Sequence, residues 1–145
     1  MSSVVINENK YGFTIKRQNK ISLKFEAKNC MCMNPIEKNS SIWFLKIKLP
    51  YDIAQEIKQI ENDSNNIINN YQLLTAIDEN LCINIKIPFR YNKFECAFVD
   101  INDCRIISND IQPNNLLTIH LECINIWKNE MFFGLTWKTK FIKKM

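Results

Sequence analysis

Few residues of this sequence have the types and spacing that catalysis needs. Asp100, Asp103 and Asp110 lie close together, and such a cluster could hold the divalent metal of a nuclease. All three fall in predicted turns, where aspartate is favoured because its side chain hydrogen-bonds to nearby backbone amides. His120 is the only histidine and lies in an alternating stretch, so we expect a structural role for it. Two glycines can hardly build a phosphate-binding loop, and the sequence therefore favours a protein that is not an enzyme.

The thiols do not complete a metal site either. The six cysteines lie at positions 30, 32, 82, 96, 104 and 123. Cys30 and Cys32 would share one face of a strand, but no second close pair and no nearby histidine adds the remaining ligands of a zinc site. The N-terminal residues have no secretory signal pattern, so we do not expect a disulfide framework. We expect buried thiols that act as small apolar side chains, no metal and no cofactor.

The positive signal is the placement of aromatic residues beside basic ones. Phe44 lies near Lys46 and Lys48, the segment 89–93 reads FRYNK, and Trp127 precedes Lys128. Proteins that bind single strands stack bases on aromatic rings, at ~1–3 kcal/mol per base, while lysines follow the phosphates. The alternative is that rings at alternate strand positions belong to the core, and we expect this for at least two of the three tryptophans.

The hydrophobic pattern that must position these residues is mostly that of β-strands. Apolar residues alternate with polar ones over 21–28, 42–49, 81–87, 117–127 and 133–141. Between them, Ile53, Ile57 and Ile60 recur with helical spacing after a possible cap at Asp52, and a second helical piece is predicted near 67–77. The sequence 62–66, NDSNN, should weaken the helix between them. We predict a mainly β fold, a small barrel or sandwich, with one helical insertion at about 52–76.

Composition and charge narrow the class of protein. The length of 145 residues, with 46% hydrophobic and 23% charged residues, predicts one domain covering 1–145. Nine basic and two acidic residues fall in 10–48, one basic and six acidic in 51–80, and nine basic and six acidic in 86–145. This pattern fits either a balanced solvated surface or a polyanion-binding sheet backed by an acidic element.

The excess of Ile, Asn and Lys is typical of an AT-rich genome, such as that of a large DNA virus, a phage or a microbe.

The C-terminal segment carries a resemblance to a known family. Residues 124–138, INIWKNEMFFGLTWK, resemble the closing hairpin of the OB-fold single-stranded DNA-binding proteins of large DNA viruses, with the pattern W-x5-F-G-x-T-W-K. KIPFRYNKFECAFVD and LPYDIAQEIKQIE resemble the preceding hairpin and helix of that family. The resemblance implies an OB-like barrel that binds exposed DNA strands and has no cofactor or catalytic residues. Trp127 and Trp137 would be base-stacking platforms or barrel core, and Gly134 would allow a bulge. The ending FIKKM departs from the acidic tail of many replicative single-strand binders.

The combined prediction is a non-enzymatic OB-like protein that binds single-stranded DNA with little sequence preference in viral replication, recombination or transcription. RNA as the ligand and homo-oligomers stay open, and the protein is expected to be intracellular, not secreted and not membrane-bound. The alternative is a virion or assembly protein whose β-domain oligomerises. The candidate binding residues are Lys16, Arg17, Lys20, Lys24, Phe44, Lys46, Lys48, Arg90, Tyr91, Lys93, Trp127, Lys138 and Lys140.

Overall fold

Alternating inward and outward residues build a closed β-barrel, described by a computed structural model over residues 4–10, 12–18 and 22–145. The strands are β1 (Val4–Asn9), β2 (Gly12–Arg17), β3 (Leu23–Cys32), β4 (Glu37–Asn39), β5 (Ile42–Lys48), β6 (Gln72–Leu73), β7 (Cys82–Ile87), β8 (Phe89–Arg90), β9 (Lys93–Phe94), β10 (Ala97–Val99), β11 (Leu116–Lys128), β12 (Phe132–Lys138) and β13 (Phe141–Lys144). Helix α1 spans Tyr51–Ile67, and a 3-10 turn spans Ser108–Asp110. The predicted mainly β, OB-like fold is confirmed.

Five strands close the barrel in the order β3-β5-β7-β12-β11, with β11 pairing back onto β3. All of these pairings are antiparallel except that of β7 with β12, which is parallel and joins Lys86 to Lys138. The hairpin β1–β2 extends the sheet through an antiparallel pairing of β2 with β11. The strand β13 pairs with β10 and with β11.

The barrel interior is filled by the apolar members of the alternating strands. Fully buried positions include Leu23, Leu45, Ile47, Ile83, Ile85, Leu121, Phe133 and Trp137. Because successive side chains of a strand point to opposite faces, the intervening residues are set outward. Paired residues across the ladders therefore form an outward belt of Phe44, Lys86, Lys138, Glu122 and Lys24.

Helix α1 differs from the sequence prediction at both ends. Pro50 occupies the N-cap and no side chain caps the helix, so Asp52 lies in the first turn instead of capping it. The helix continues through 62–66 to Ile67, with Asp63 and Ser64 buried against the core and the Ser64 hydroxyl donating to the Ile60 carbonyl at 2.8 Å. The predicted second helical piece is absent from the described residues 68–77, which contain the short strand β6.

The segment after α1 is fixed by a buried carboxylate. Glu61 is 2% exposed, and its oxygens accept hydrogen bonds from the Thr75 hydroxyl at 2.6 Å and the Ala76 amide at 2.8 Å. Burial raises the pKa of Glu61, while these two hydrogen bonds and the charge of Lys58 oppose the shift. The carboxylate thereby joins the helix to the chain that leads into β7.

Candidate nucleic-acid interface

The outward side of β5 and β7 collects aromatic and basic side chains on one surface. Phe44 pairs with Lys86 across the ladder, and Lys46 pairs with Asn84. Phe44, Lys46 and Lys86 are half-buried, whereas Lys48 and Asn84 are exposed. We call these five residues the front face. The period-2 pattern of the sequence predicted the shared face of Phe44, Lys46 and Lys48, and the barrel adds the two residues from β7.

A groove of about 370 Å³ runs along the front face beside the β3–β5 connection. It is lined by Asn34, Glu37, Asn39, Phe44, Lys46 and Asn84. Glu37 lies on β4, directly opposite Phe44 in the ladder. At the other end of the strands, the Cys82 amide lowers the pKa of Asp78 by hydrogen bonding, and Lys46 adds a smaller effect in the same direction. The groove itself, without Asp78, combines the ring of Phe44, the ammonium group of Lys46 and three asparagine amides with one carboxylate, that of Glu37.

The hairpin β8–β9 carries an exposed aromatic tip on a packed aromatic base. The Phe89 and Phe94 rings lie edge to face, with their centroids 5.0 Å apart. The centroid of the Trp43 ring lies 5.7 Å from that of Phe89 and 5.1 Å from that of Phe94. At the tip, Tyr91 is 86% exposed and has a φ of 55°, next to Asn92 at 62°. Positive φ at both central residues is the geometry of a type I′ turn, which asparagine and glycine favour and tyrosine does not. The aromatic contacts hold the base of the hairpin in place. At its tip, Tyr91 adopts a backbone conformation that is unfavourable for tyrosine.

The two basic residues of this hairpin flank the tip. Arg90 is exposed, and its Nε lies 3.2 Å from a carboxylate oxygen of Glu95. Lys93 is exposed opposite Arg90 in the ladder. Only Pro88 separates β7 from β8, so the hairpin extends beyond the end of β7. Its base packs on Trp43, which in β5 points to the side opposite Phe44.

Trp127 occupies a separate groove on the outer side of β11. It pairs in register with Gly12 on β2 and with Gly134 on β12, the two glycines of the chain. Its side chain is 37% exposed, and the groove, of about 460 Å³, also contains Asn9, Asn125 and Thr136. The neighbouring Lys128 does not share this groove, since its ammonium lies 2.6 Å from Glu8. Trp137, the other stacking candidate, is 1% exposed and belongs to the core.

Lys24, Lys138 and Lys140 meet in a third groove, of about 420 Å³, outside β3, β11 and β12. We call it the back groove. Both Lys24 and Lys138 contact Glu122, and the wall is formed by the stacked rings of His120 and Phe141, 4.4 Å apart. Lys16 and Arg17 lie on β2, where Arg17 donates a hydrogen bond to the Lys24 carbonyl at 3.4 Å. Lys20 lies outside the described residues.

The residues predicted from sequence therefore do not all line one groove. The front face carries Phe44, Lys46 and Lys48, and the hairpin β8–β9 carries Arg90, Tyr91 and Lys93. Barrel closure places Lys24, Lys138, Lys140 and Trp127 around β11 and β12. The sequence analysis omitted Asn84 and Lys86, although the alternation over 81–87 indicated their outward direction.

The aspartates that could bind a metal have hydrogen-bond or ion-pair partners within the fold, and three of the thiols have raised pKa values. Asp100 accepts hydrogen bonds from the amides of Asn102 and Cys104, Asp103 pairs with Lys143 at 3.0 Å, and Asp110 accepts from the Ile107 amide. Among the residues that the structure describes, no cluster of His, Cys, Asp or Glu is arranged to hold a metal ion. Burial raises the pKa of Cys30, Cys96 and Cys123 to about 12, so these thiols stay protonated at neutral pH.

Comparison with known proteins finds likeness in structure alone. No family model matches the chain, and neither does any curated protein. A C-terminally truncated single-stranded DNA-binding protein from bacteriophage Enc34 aligns with a TM-score of 0.60 at 10% identity, over 97% of this chain and 94% of that one. The chain shares this fold. The Enc34 protein in complex with ssDNA aligns with a TM-score of 0.57 at 10% identity, over 100% and 96%.

A second phage protein has the same OB-like architecture. The single-stranded DNA-binding protein gp2.5 of bacteriophage T7 aligns with a TM-score of 0.58 at 10% identity, over 85% of this chain and 86% of that one. These structures come from phages, and they do not test the likeness of the closing hairpin to proteins of large DNA viruses. Within the described ranges, no helix has the length and apolar character that crossing a membrane requires.

Proposed function

We propose that this protein binds single-stranded DNA on its front face, without catalysing a reaction and with little sequence preference. The observation that carries the proposal is the outward side of β5 and β7, which sets the ring of Phe44 among Lys46, Lys48 and Lys86. These are the second and third strands of the barrel, and in OB folds this pair of strands forms the surface that binds oligonucleotides. The phage proteins with this fold, one of them in complex with ssDNA, support the same ligand.

The chemistry of the front face explains a preference for single strands. A base can stack on an aromatic ring only when it is unpaired, and each such contact contributes ~1–3 kcal/mol. The ammonium groups neutralise phosphates and release counterions, which makes binding weaker as salt increases. Lysine presents a point charge and lacks the planar fork with which arginine reads guanine, so the contacts favour the backbone over particular bases.

The hairpin β8–β9 supplies the second stacking platform. Tyr91 projects from its tip, and the rings of Phe89, Phe94 and Trp43 hold its base in place. A strand bound on the front face would pass Phe44 and then reach Tyr91 between the charges of Arg90 and Lys93. Phe44 and Tyr91 therefore stack bases, and the lysines and arginine contact phosphates.

The wider assignment follows from the same ligand. We infer that residues 1–145 act as one intracellular domain in the replication, recombination or transcription of a viral genome. The closing hairpin with Trp127, Gly134 and Trp137 supports a relationship to the single-stranded DNA-binding proteins of large DNA viruses.

The experiment is a titration of the purified protein with fluorescein-labelled single-stranded DNA, single-stranded RNA and duplex DNA at several salt concentrations, followed by anisotropy. We expect the single-stranded DNA to bind most tightly, with an affinity that falls as salt rises. Equal affinity for RNA would broaden the ligand class to single strands in general. Equal binding of duplex DNA and of a generic polyanion such as heparin would contradict the proposal and favour the assembly protein, whose oligomers light scattering would detect.

A further inference from the structure

In the back groove, two of the lysines form ion pairs with one carboxylate. Glu122 on β11 lies opposite Lys138 on β12 and opposite Lys24 on β3 in the ladders. One of its carboxylate oxygens is 3.4 Å from Nζ of Lys24, and the other is 3.7 Å from Nζ of Lys138. The side chain of Glu122 is only 17% exposed, so its position is set by the surrounding strands. One carboxylate thus bridges two ammonium groups at the floor of the groove.

The groove otherwise has the composition of a strand-binding surface. Lys140 is exposed on its rim, and the stacked rings of His120 and Phe141 form one wall. A phosphate that entered the groove would bind the same two ammonium groups with which Glu122 forms ion pairs. A carboxylate and a phosphate bind lysine through the same charged oxygens, so the two compete for one position.

A second acid on the rim does not bridge the two lysines. Glu26 lies 3.6 Å from Nζ of Lys28 and 3.3 Å from Nε2 of His120, and neither of these contacts involves Lys24 or Lys138. Glu26 is about half exposed, with a side-chain exposure of 47%. It therefore provides a matched control, because its removal changes the charge of the groove equally and leaves the bridge intact.

We propose that Glu122 is an internal counterion that closes the back groove to the phosphodiester backbone and confines a bound strand to the front face. This inference rests on the proposed binding of single-stranded DNA. Neutralising Glu122 frees Lys24 and Lys138 and turns the groove into a further stretch of backbone-binding surface. Glu122 is therefore a specificity-determining residue that limits how much of a strand the barrel covers.

The test compares the full chain with the variants Glu122→Gln and Glu26→Gln in titrations with oligo-dT of increasing length. For Glu122→Gln we expect an affinity gain of about two- to fivefold, the range of exposed ion pairs. Two freed lysines should steepen the slope of log K against log salt by about 1.4, since single strands give about 0.7 per phosphate neutralised. The oligonucleotide length at which affinity stops rising should increase. Glu26→Gln should leave that length unchanged.

A second variant tests the same idea with Glu122 intact. In Lys24→Gln/Lys138→Gln the affinity should fall by less than in the front-face variant Lys46→Gln/Lys48→Gln, because Glu122 already offsets one of the two positive charges. A loss as large as that of the front-face variant Lys46→Gln/Lys48→Gln would overturn the proposal. So would equal gains in Glu122→Gln and Glu26→Gln, which would indicate net charge alone.

The outcomes also separate this inference from the function on which it rests. Binding by the wild-type protein with no gain in Glu122→Gln overturns only the role of Glu122, provided that circular dichroism shows a folded variant. Absence of binding in both proteins overturns the proposed function as well.

Discussion

The indole of Trp127 covers the backbone of Gly134 so closely that no other residue fits there. A Cβ at Gly134 would lie 2.7 Å from Nε1, Cε2 and Cζ2 of Trp127. The two residues pair across β11 and β12, and Gly12 pairs with the other side of Trp127. A Cβ at Gly12 would meet the Ile126 carbonyl oxygen at 2.2 Å, so that glycine permits the close approach of β2 to β11. A chain with two glycines thus uses both of them beside one tryptophan.

The variant Gly134→Ala should displace the indole and destabilise the protein. Forcing an extra methyl group into a packed position costs about 1–3 kcal/mol. Thermal unfolding should therefore occur at lower temperature, and the emission of Trp127 should shift to longer wavelength as the ring moves into water. In the background Trp127→Ala the same change at Gly134 should cost much less, because the ring that it would meet is gone. Additive effects of the two changes would contradict this packing.

The front face predicts a particular salt dependence. Replacing Lys46 and Lys48 by glutamine should weaken binding to single-stranded DNA and flatten the slope of log K against log salt by about 1.4, for two phosphates at about 0.7 each. Glutamate at both positions should weaken binding further by repulsion. The matched control is Lys143→Gln/Lys144→Gln on β13, which removes the same charge outside the front face. An unchanged slope in the front-face variant, measured by anisotropy at two salt concentrations, would refute this placement of the strand.

Replacing Tyr91 by asparagine should weaken binding to single-stranded DNA without destabilising the fold. Because it is 86% exposed at a φ of 55°, the variant Tyr91→Asn loses a base-stacking ring and gains a residue type that tolerates this conformation. Affinity for single-stranded DNA should fall by about five- to 150-fold, as expected for a loss of ~1–3 kcal/mol. Urea denaturation should show equal or slightly higher stability. A variant that unfolds more readily, or binds as well as the wild type, would count against this role.

Glu61 should make the stability of the protein depend on pH above 4.5, the ordinary pKa of a glutamate. Burial raises its pKa above the ordinary value of 4.5, so the folded state holds this proton more tightly than the unfolded chain does. The resulting stability is complete below the unfolded pKa and is lost as pH rises through the folded pKa. The free energy of unfolding attributable to this group therefore falls between pH 4.5 and the raised pKa.

The variant Glu61→Gln removes that titration and isolates its effect. Urea denaturation of both proteins at pH 5 and pH 7 should show that the wild type loses more stability on this step than the variant does. Asp78, whose pKa is lowered by the Cys82 amide, acts in the opposite direction in both proteins and cancels in the comparison. Equal pH dependence in the two proteins would show that Glu61 does not titrate differently on folding.

The two faces of β5 illustrate what alternation alone predicts well. A strand turns successive side chains to opposite sides, so the sequence 42–49 already placed Phe44, Lys46 and Lys48 together and opposite Leu45 and Ile47. Tyr91 was predicted to be exposed because it falls in a polar turn after Pro88, and the structure confirms its exposure. Both predictions depend only on residues close in sequence.

Trp127 shows where alternation fails. Counting in steps of two from Cys123 sets Trp127 on the inward face, but the register of β11 against β12 shifts between Cys123 and Ile126. This bulge turns Ile126 into the core at 1% exposure and turns Trp127 outward. The bulge has no sequence signature of its own, because it arises from the match between two strands and not within one.

The sequence by itself determined the mainly β class, the helix after β5 and the outward direction of the front-face lysines, all of which follow from local periodicity and residue type. Only the tertiary structure decided which basic residues act together. Closing the barrel places Lys138 opposite Lys86 of the front face and sets both Lys24 and Lys138 against Glu122. Neighbours across a sheet are set by strand order and register, which depend on the packing of the whole core.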